Sequence, residues 1–124
     1  MMFGMDADAL RRLCLSFDGA VEQSPFFKVG GKVFAIAPLD VAPPLRVGLK
    51  CDPDLAQVLR GSYPAITPGY HNARHWNTVV LDGSLGAGFV RDMLEDSYDL
   101  VVSALPKRVQ RELGWSPAER DGHP

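Results

Sequence analysis

Leu45-Arg46-Val47-Gly48-Leu49-Lys50-Cys51, residues 45–51, alternates apolar side chains with polar or missing ones without a break. A strand sends successive side chains to opposite faces, so Leu45, Val47, Leu49 and Cys51 point one way and Arg46, Gly48 and Lys50 the other. The stretch therefore reads as a half-buried strand in a sheet with one packed and one open face. Asp52-Pro53 follows as an N-cap with proline at the first helical position, and Leu55, Val58 and Leu59 form the apolar side of a short helix closed by Gly61. On the other side, Pro38–Pro44 holds three prolines and reads as a connector.

Further upstream, Lys32–Ala37 reads as a strand, preceded by the Gly30-Gly31 pair that tight hairpins favour because both residues can take positive φ. Gln23–Val29, with Pro25 near its start, suits an edge strand whose proline faces away from the ladder. Asp6 is an N-cap, and Leu10, Leu13, Cys14 and Phe17 recur at helical spacing, which predicts a helix over residues 7–16 with Asp8, Arg11 and Arg12 outside. Downstream of the second helix comes a brief extended segment, Ala65–Thr67, and then Trp76–Leu81, strand-like and turned out by Asp82-Gly83. From Leu85 the apolar positions Phe89, Val90, Met93, Leu94, Ser97, Tyr98, Val101, Val102 and Leu105 keep the helical period up to Pro106, so the longest helix covers the core. Lys107–Pro124 contains Gly114, Pro117 and Gly122 and reads as a loosely attached tail.

The expectation is one α+β domain over residues 1–106 with a tail at 107–124. Its order is α-β-β-β-α-β-β-α, a largely antiparallel sheet with helices on one face. The chain has 124 residues, 46% hydrophobic and 23% charged, which suits a soluble domain able to bury its own core. No apolar run is long enough to span a membrane, and the N-terminal MMFGMDADALRR lacks the basic start of a signal peptide, so a cytoplasmic monomer is expected. Cys14 and Cys51 suit buried free thiols in a reducing compartment. No cofactor motif is present.

Thr67–Gly83, TPGYHNARHWNTVVLDG, gathers the residues with the most chemistry. Net charge is −2, yet residues 23–81 carry six basic against three acidic side chains, and no Asp or Glu lies between Leu55 and Leu81. A local positive field is compatible with an acidic total. His71 and His75 are spaced as two metal ligands on a helical turn would be, but no third ligand lies nearby and no HExxH pattern exists, so no metal is expected. Cys51 with a histidine and Asn77 has the residue types of a nucleophilic set. Its inward place on the strand makes an inert thiol the better reading, and no catalytic residue is assigned.

Several pieces in order resemble the MmcQ/YjbR-like family of small bacterial proteins. They are Leu13-Cys14-Leu15-Ser16 with Gly19-Ala20, Phe27-Lys28-Val29-Gly30-Gly31-Lys32-Val33-Phe34-Ala35, Leu49-Lys50-Cys51-Asp52-Pro53, Thr67-Pro68-Gly69-Tyr70-His71, His75-Trp76-Asn77-Thr78-Val79 and Ser97-Tyr98-Asp99-Leu100-Val101. The resemblance implies a CyaY/frataxin-like fold and DNA binding through a double-wing arrangement. Similar proteins often have paired lysines where this chain has Ala73-Arg74, which leaves one cation fewer.

Two non-enzymatic readings follow. In the first, Lys28, Lys32, Arg46, Lys50, Arg74 and His75 meet the phosphates of DNA on the open sheet face. In the second, Tyr70, His71, His75, Trp76 and Asn77 close a pocket for a small ligand or a protein segment under the 70–76 loop. A deep apolar cavity there favours the second, and an open positive surface the first.

Overall fold

The structure, a computed structural model, describes residues 4–117. In chain order its elements are α1 (Ala7–Leu15), β1 (Val21–Gln23), β2 (Phe26–Val29), β3 (Lys32–Ile36), β4 (Leu45–Lys50), α2 (Pro53–Ser62), β5 (Ile66–Pro68), β6 (Trp76–Leu81), α3 (Ala87–Ser103) and α4 (Lys107–Glu112). The strands form one antiparallel sheet in the order β1-β2-β3-β4-β6-β5. This is an α+β fold with an open sheet and its helices on one face, as the alternation at 45–51 predicts. The element order differs from expectation by one strand and one helix.

The extra strand, β1, meets the stretch expected to be a single edge strand, Gln23–Val29, only at Gln23, and that stretch keeps β2. Ser24 and Pro25 form a turn with a cis peptide between them, and the chain doubles back so that Gln23 pairs with Phe26 and Val21 with Lys28. The Pro25 carbonyl still accepts from the Ala37 N–H at 2.7 Å, so proline sits where only its acceptor is used. At the next turn Gly30 and Gly31 have φ of 57° and 80°, a region that suits glycine.

Register divides the strand residues between two faces. Phe27, Ala35, Leu49 and Asn77 are paired across β2, β3, β4 and β6 and lie on the helix side. There Val47, Leu49, Val79 and Leu81 meet Leu10 and Cys14 of α1 and the inner stripe of α3 in one core. Burying each large apolar side chain contributes roughly 1.5–3 kcal/mol. Phe17, Phe34 and Tyr98 make an aromatic cluster within it, with centroids 5.0–6.0 Å apart.

The helix α3 follows its predicted stripe closely, and one of its members is polar. Ser97 is fully buried; its hydroxyl accepts from the Lys50 N–H at 2.8 Å and donates to the Phe34 carbonyl at 2.6 Å. The oxygen thus bridges β4 and β3 just beyond their last registered pair, Ala35 with Leu49.

Two expectations about apolar faces are corrected. Leu55 and Val58 do not form the inner side of α2: they are 43% and 60% exposed, while Ala56 is buried and Leu59 packs against the core. A small residue lets the helix lie close to β6, where the Ala56 carbonyl accepts from Asn77 Nδ2 at 3.3 Å. The segment read as a loose tail holds α4, packed through Val109, Leu113 and Trp115. Buried Gln110 donates to the carbonyls of Val102, Ser103 and Leu105, capping the end of α3, and Trp115 Nε1 donates to Asp99 at 2.9 Å. The last part of the proposed tail, 118–124, lies outside the described residues.

Candidate functional site

The face away from the helices starts from the row Phe26–Ile36–Gly48–Thr78–Thr67, registered pair by pair across five strands. One row along, Lys50 pairs with Trp76; one row the other way, Arg46 pairs with Val80. The middle row from Phe26 to Thr78 is the floor of a groove of about 500 Å³. Pro38, Val41 and Pro44 of the connector wall one side, and Gly69–Asn72 with Trp76 wall the other. Among the described residues Arg46 is the only lysine or arginine on its lining, and none of those lining it is a carboxylate.

Backbone bonds hold the second wall. The Asn72 carbonyl accepts from the N–H of His75 at 3.2 Å and of Trp76 at 2.9 Å, folding the loop into a tight turn. Gly69 N–H donates to the Trp76 carbonyl at 2.9 Å, and a Cβ at residue 69 would meet that oxygen at 2.9 Å and Trp76 Cβ at 2.8 Å. Close approach rather than dihedral angle is what demands glycine here. The Cys51 N–H donates to the His75 carbonyl at 2.7 Å, and Arg60 Nη1 of α2 reaches the Ala73 carbonyl at 2.6 Å. Both sheet and helix therefore position the loop, while Tyr70 at its tip is 83% exposed.

Of the pocket set named from sequence, Tyr70, His71, Trp76 and Asn77 border the groove, and His75 does not. Asn77 borders it by its main chain, because its register partner is the buried Leu49 and its amide points to α2. The Oδ1 of that amide is buried without a hydrogen-bond partner among the described residues. Of the basic set, only Arg46 borders the groove. Lys50 shares its face, half-buried beside Trp76; Lys28 lies on β2, Lys32 beside the Gly30-Gly31 turn, and Arg74 is exposed in the loop. The groove does not gather the cations together.

Phe26, Ile36, Val41 and Gly48 escaped the sequence reading. The available signals were three prolines ahead of β4 and a glycine on the open side of an otherwise regular alternation. Neither reveals that the connector folds back over the sheet.

A larger depression of about 820 Å³ lies on the helix side, lined by residues that include Cys51, Leu55, Leu100 and the carboxylates Asp52, Asp92, Glu95, Asp96 and Asp99. Burial, then the neighbouring Asp99, Glu95 and Asp92, raises the Asp96 pKa. Burial, followed by Asp52 and Asp96, likewise raises that of the Cys51 thiol, which opposes a nucleophilic role. Among the described residues no group of three or more His, Cys, Asp or Glu is placed to hold a metal ion. No described helix is long and apolar enough to cross a membrane.

Fold and site together define a small α+β protein with an open antiparallel sheet, covered by helices on one face and grooved on the other. The YjbR family model matches residues 15–100. The uncharacterised protein YbdF of Escherichia coli O157:H7 is 38% identical over 88 residues, 70% of this chain and 71% of that one. YjbR of Escherichia coli K12, also uncharacterised, is 33% identical over 117 residues, covering 88% and 98%. Among solved structures, Deinococcus radiodurans protein DR2400, with its DUF419 domain, superposes with a TM-score of 0.81 at 35% identity over 90% of this chain and 89% of its own. A Pseudomonas syringae protein gives 0.52 at 30% identity over 68% and 78%. The chain belongs to the YjbR family.

Proposed function

We propose that this is a non-enzymatic binding protein whose groove, between the connector and the Tyr70–Trp76 loop, receives a small ligand. The observation that carries the reading is the gathering of exposed apolar surface: Phe26, Val41 and Tyr70 all border one concavity. Soluble proteins seldom leave such side chains clustered without a use, and about 500 Å³ falls within the usual span of ligand sites. The aromatic walls supply contact area, and His71, Asn72 and Thr78 supply hydrogen-bonding groups.

The test is binding of the neutral fluorophore phenylnaphthylamine, read by energy transfer from Trp76 in a Trp115→Phe protein. Gly48→Val fills the floor with a branched side chain and should weaken binding roughly tenfold, since misfits of this size in apolar pockets cost on the order of 1–3 kcal/mol. Absent transfer, or transfer indifferent to Gly48→Val, refutes the reading.

DNA binding, which the family resemblance implies, has one supporting observation: Arg46 and Lys50 share the uncovered face. It predicts duplex binding at low salt that weakens steeply as salt rises and is lost in Arg46→Glu with Lys50→Glu. It ranks second because the groove is apolar and takes only one of the named cations.

A further inference from the structure

We propose that the groove selects a flat, elongated monoanion, its apolar body lying over Gly48 between Phe26 and Trp76 and its acidic group meeting Arg46. This rests on the groove being a ligand site and goes further by naming what the ligand carries.

Gly48 is the first argument. It lies mid-strand on β4, where glycine costs about 0.5–1 kcal/mol relative to alanine. Its φ is not positive, and the nearest atom to an added Cβ would be Ile36 Cβ at 3.4 Å, the edge of ordinary contact. Neither backbone conformation nor backbone crowding requires glycine there. What its missing side chain does provide is depth in the middle of the floor, with Ile36 and Thr78 as its registered neighbours. A flat body can rest on such a floor; a branched one gains less.

Arg46 is the second. It is exposed, faces the same side as Gly48, and takes part in none of the ion pairs found among the described residues. A guanidinium beside apolar walls and without a carboxylate at the site is complementary to an anion, and the partial exclusion of water strengthens that attraction. With Arg46 the single lysine or arginine on the lining among the described residues, one negative charge is matched and a polyanion is not.

Spacing supplies the shape. At about 3.3 Å per residue, the Arg46 row lies about 7 Å from the Gly48 row and about 13 Å from the row of Lys50 and Trp76. An acid at Arg46 and an aromatic contact at Trp76 therefore call for a ligand on the order of 10 Å long. A compact acid reaches one end only.

Two probes with the same fused and phenyl rings separate the claims: neutral phenylnaphthylamine and its sulfonate, anilinonaphthalenesulfonate. Both should bind and both should weaken in Gly48→Val. Arg46→Met keeps an unbranched stem and removes the charge, and it should weaken the sulfonate roughly tenfold more than the neutral probe, as expected for loss of one charge-assisted hydrogen bond. In the unmutated protein, rising salt should weaken the sulfonate selectively. If both probes bind but Arg46→Met and salt act on them equally, the monoanion proposal falls while the groove remains a ligand site. If neither probe binds, or Gly48→Val leaves both untouched, the ligand site falls and the monoanion with it.

Discussion

Replacing Ser97 with alanine removes a single oxygen from the core and leaves the helix, its stripe and the surrounding volume in place. That oxygen accepts from the Lys50 N–H at 2.8 Å and donates to the Phe34 carbonyl at 2.6 Å, and the residue has no exposed surface. In Ser97→Ala, both backbone groups lose their partner. A buried polar group left unpaired costs about 1–3 kcal/mol, and the Phe34 carbonyl is the more deeply buried of the two, so the variant should lose about 2–4 kcal/mol. Against a domain stability on the order of 5–15 kcal/mol this is a large share. Urea unfolding followed by circular dichroism measures it, with an unchanged slope expected because the exposed surface on unfolding is the same. A second consequence is local: the amide protons of Lys50 and its neighbours should exchange faster, since β3 and β4 are no longer tied at that end. A loss below about 0.5 kcal/mol, the scale of an ordinary surface change, would refute the bridging role.

Gly69→Ala should destabilise the fold and displace Trp76, because the added Cβ would lie 2.8 Å from Trp76 Cβ and 2.9 Å from its carbonyl oxygen; an unshifted Trp76 emission maximum would contradict this. Burial, with Glu22 adding to it, pushes the Cys14 thiol up to about 12 from 9.0, so the folded chain keeps a proton that the unfolded chain releases. That stability is full below about pH 9 and declines as pH rises toward 12, and Cys14→Ala should remove this part of the alkaline decline when the two stability curves are subtracted. Asp96→Asn relieves repulsion with Asp92, Glu95 and Asp99, so after allowance for solvent screening it should stabilise by a few tenths of a kcal/mol at neutral pH. Because the folded-state pKa of Asp96 is raised, the gain should vanish as acidification protonates the group; a gain that persists in acid would exclude the charge explanation.

What could be read in the sequence depended on whether a signal was local or required register. The alternation of β4, the glycine pair at 30–31 and the stripe of α3 are local and carry their own period or turn chemistry, so each was legible. Pro25 was legible as a proline but not as a turn, because an edge strand and a tight reversal both tolerate a missing donor. On α2, hydrophobicity pointed to Leu55 and Val58, whereas close packing against β6 selected Ala56; periodicity cannot rank a small residue above large ones. Trp115 sits in a glycine- and proline-rich segment with no period of its own, and only the fold brings Asp99 and the end of α3 beside it. At the site, Tyr70, His71 and Trp76 were recognisable from their chemistry, but Phe26 and Val41 join them only through sheet pairing and the path of the connector. Asn77 shows the same limit in reverse: its type suited a pocket, and one step of register turned its amide to the other face.

The pieces that carry the family resemblance divide by role along the same lines. Ser97 ties two strands, the Tyr98 hydroxyl donates to the Asp18 carbonyl at 2.6 Å, Asp99 receives Trp115, and Asp52 caps α2, so these residues maintain architecture. Gly69–His71 and Trp76 form one wall of the groove, and Thr78 lies at one end of its floor. The opposite wall and the rest of the lining, Phe26, Ile36, Val41, Arg46 and Gly48 among them, lie outside every one of those pieces. If the groove binds as proposed, the shared residues hold a loop at fixed height above the sheet, and the choice of ligand rests with residues that the shared pieces leave free. A relative with the same loop wall but no cation at the place of Arg46 should then bind phenylnaphthylamine and show no charge-dependent preference for its sulfonate. A full preference in such a relative would move selectivity from Arg46 to the loop.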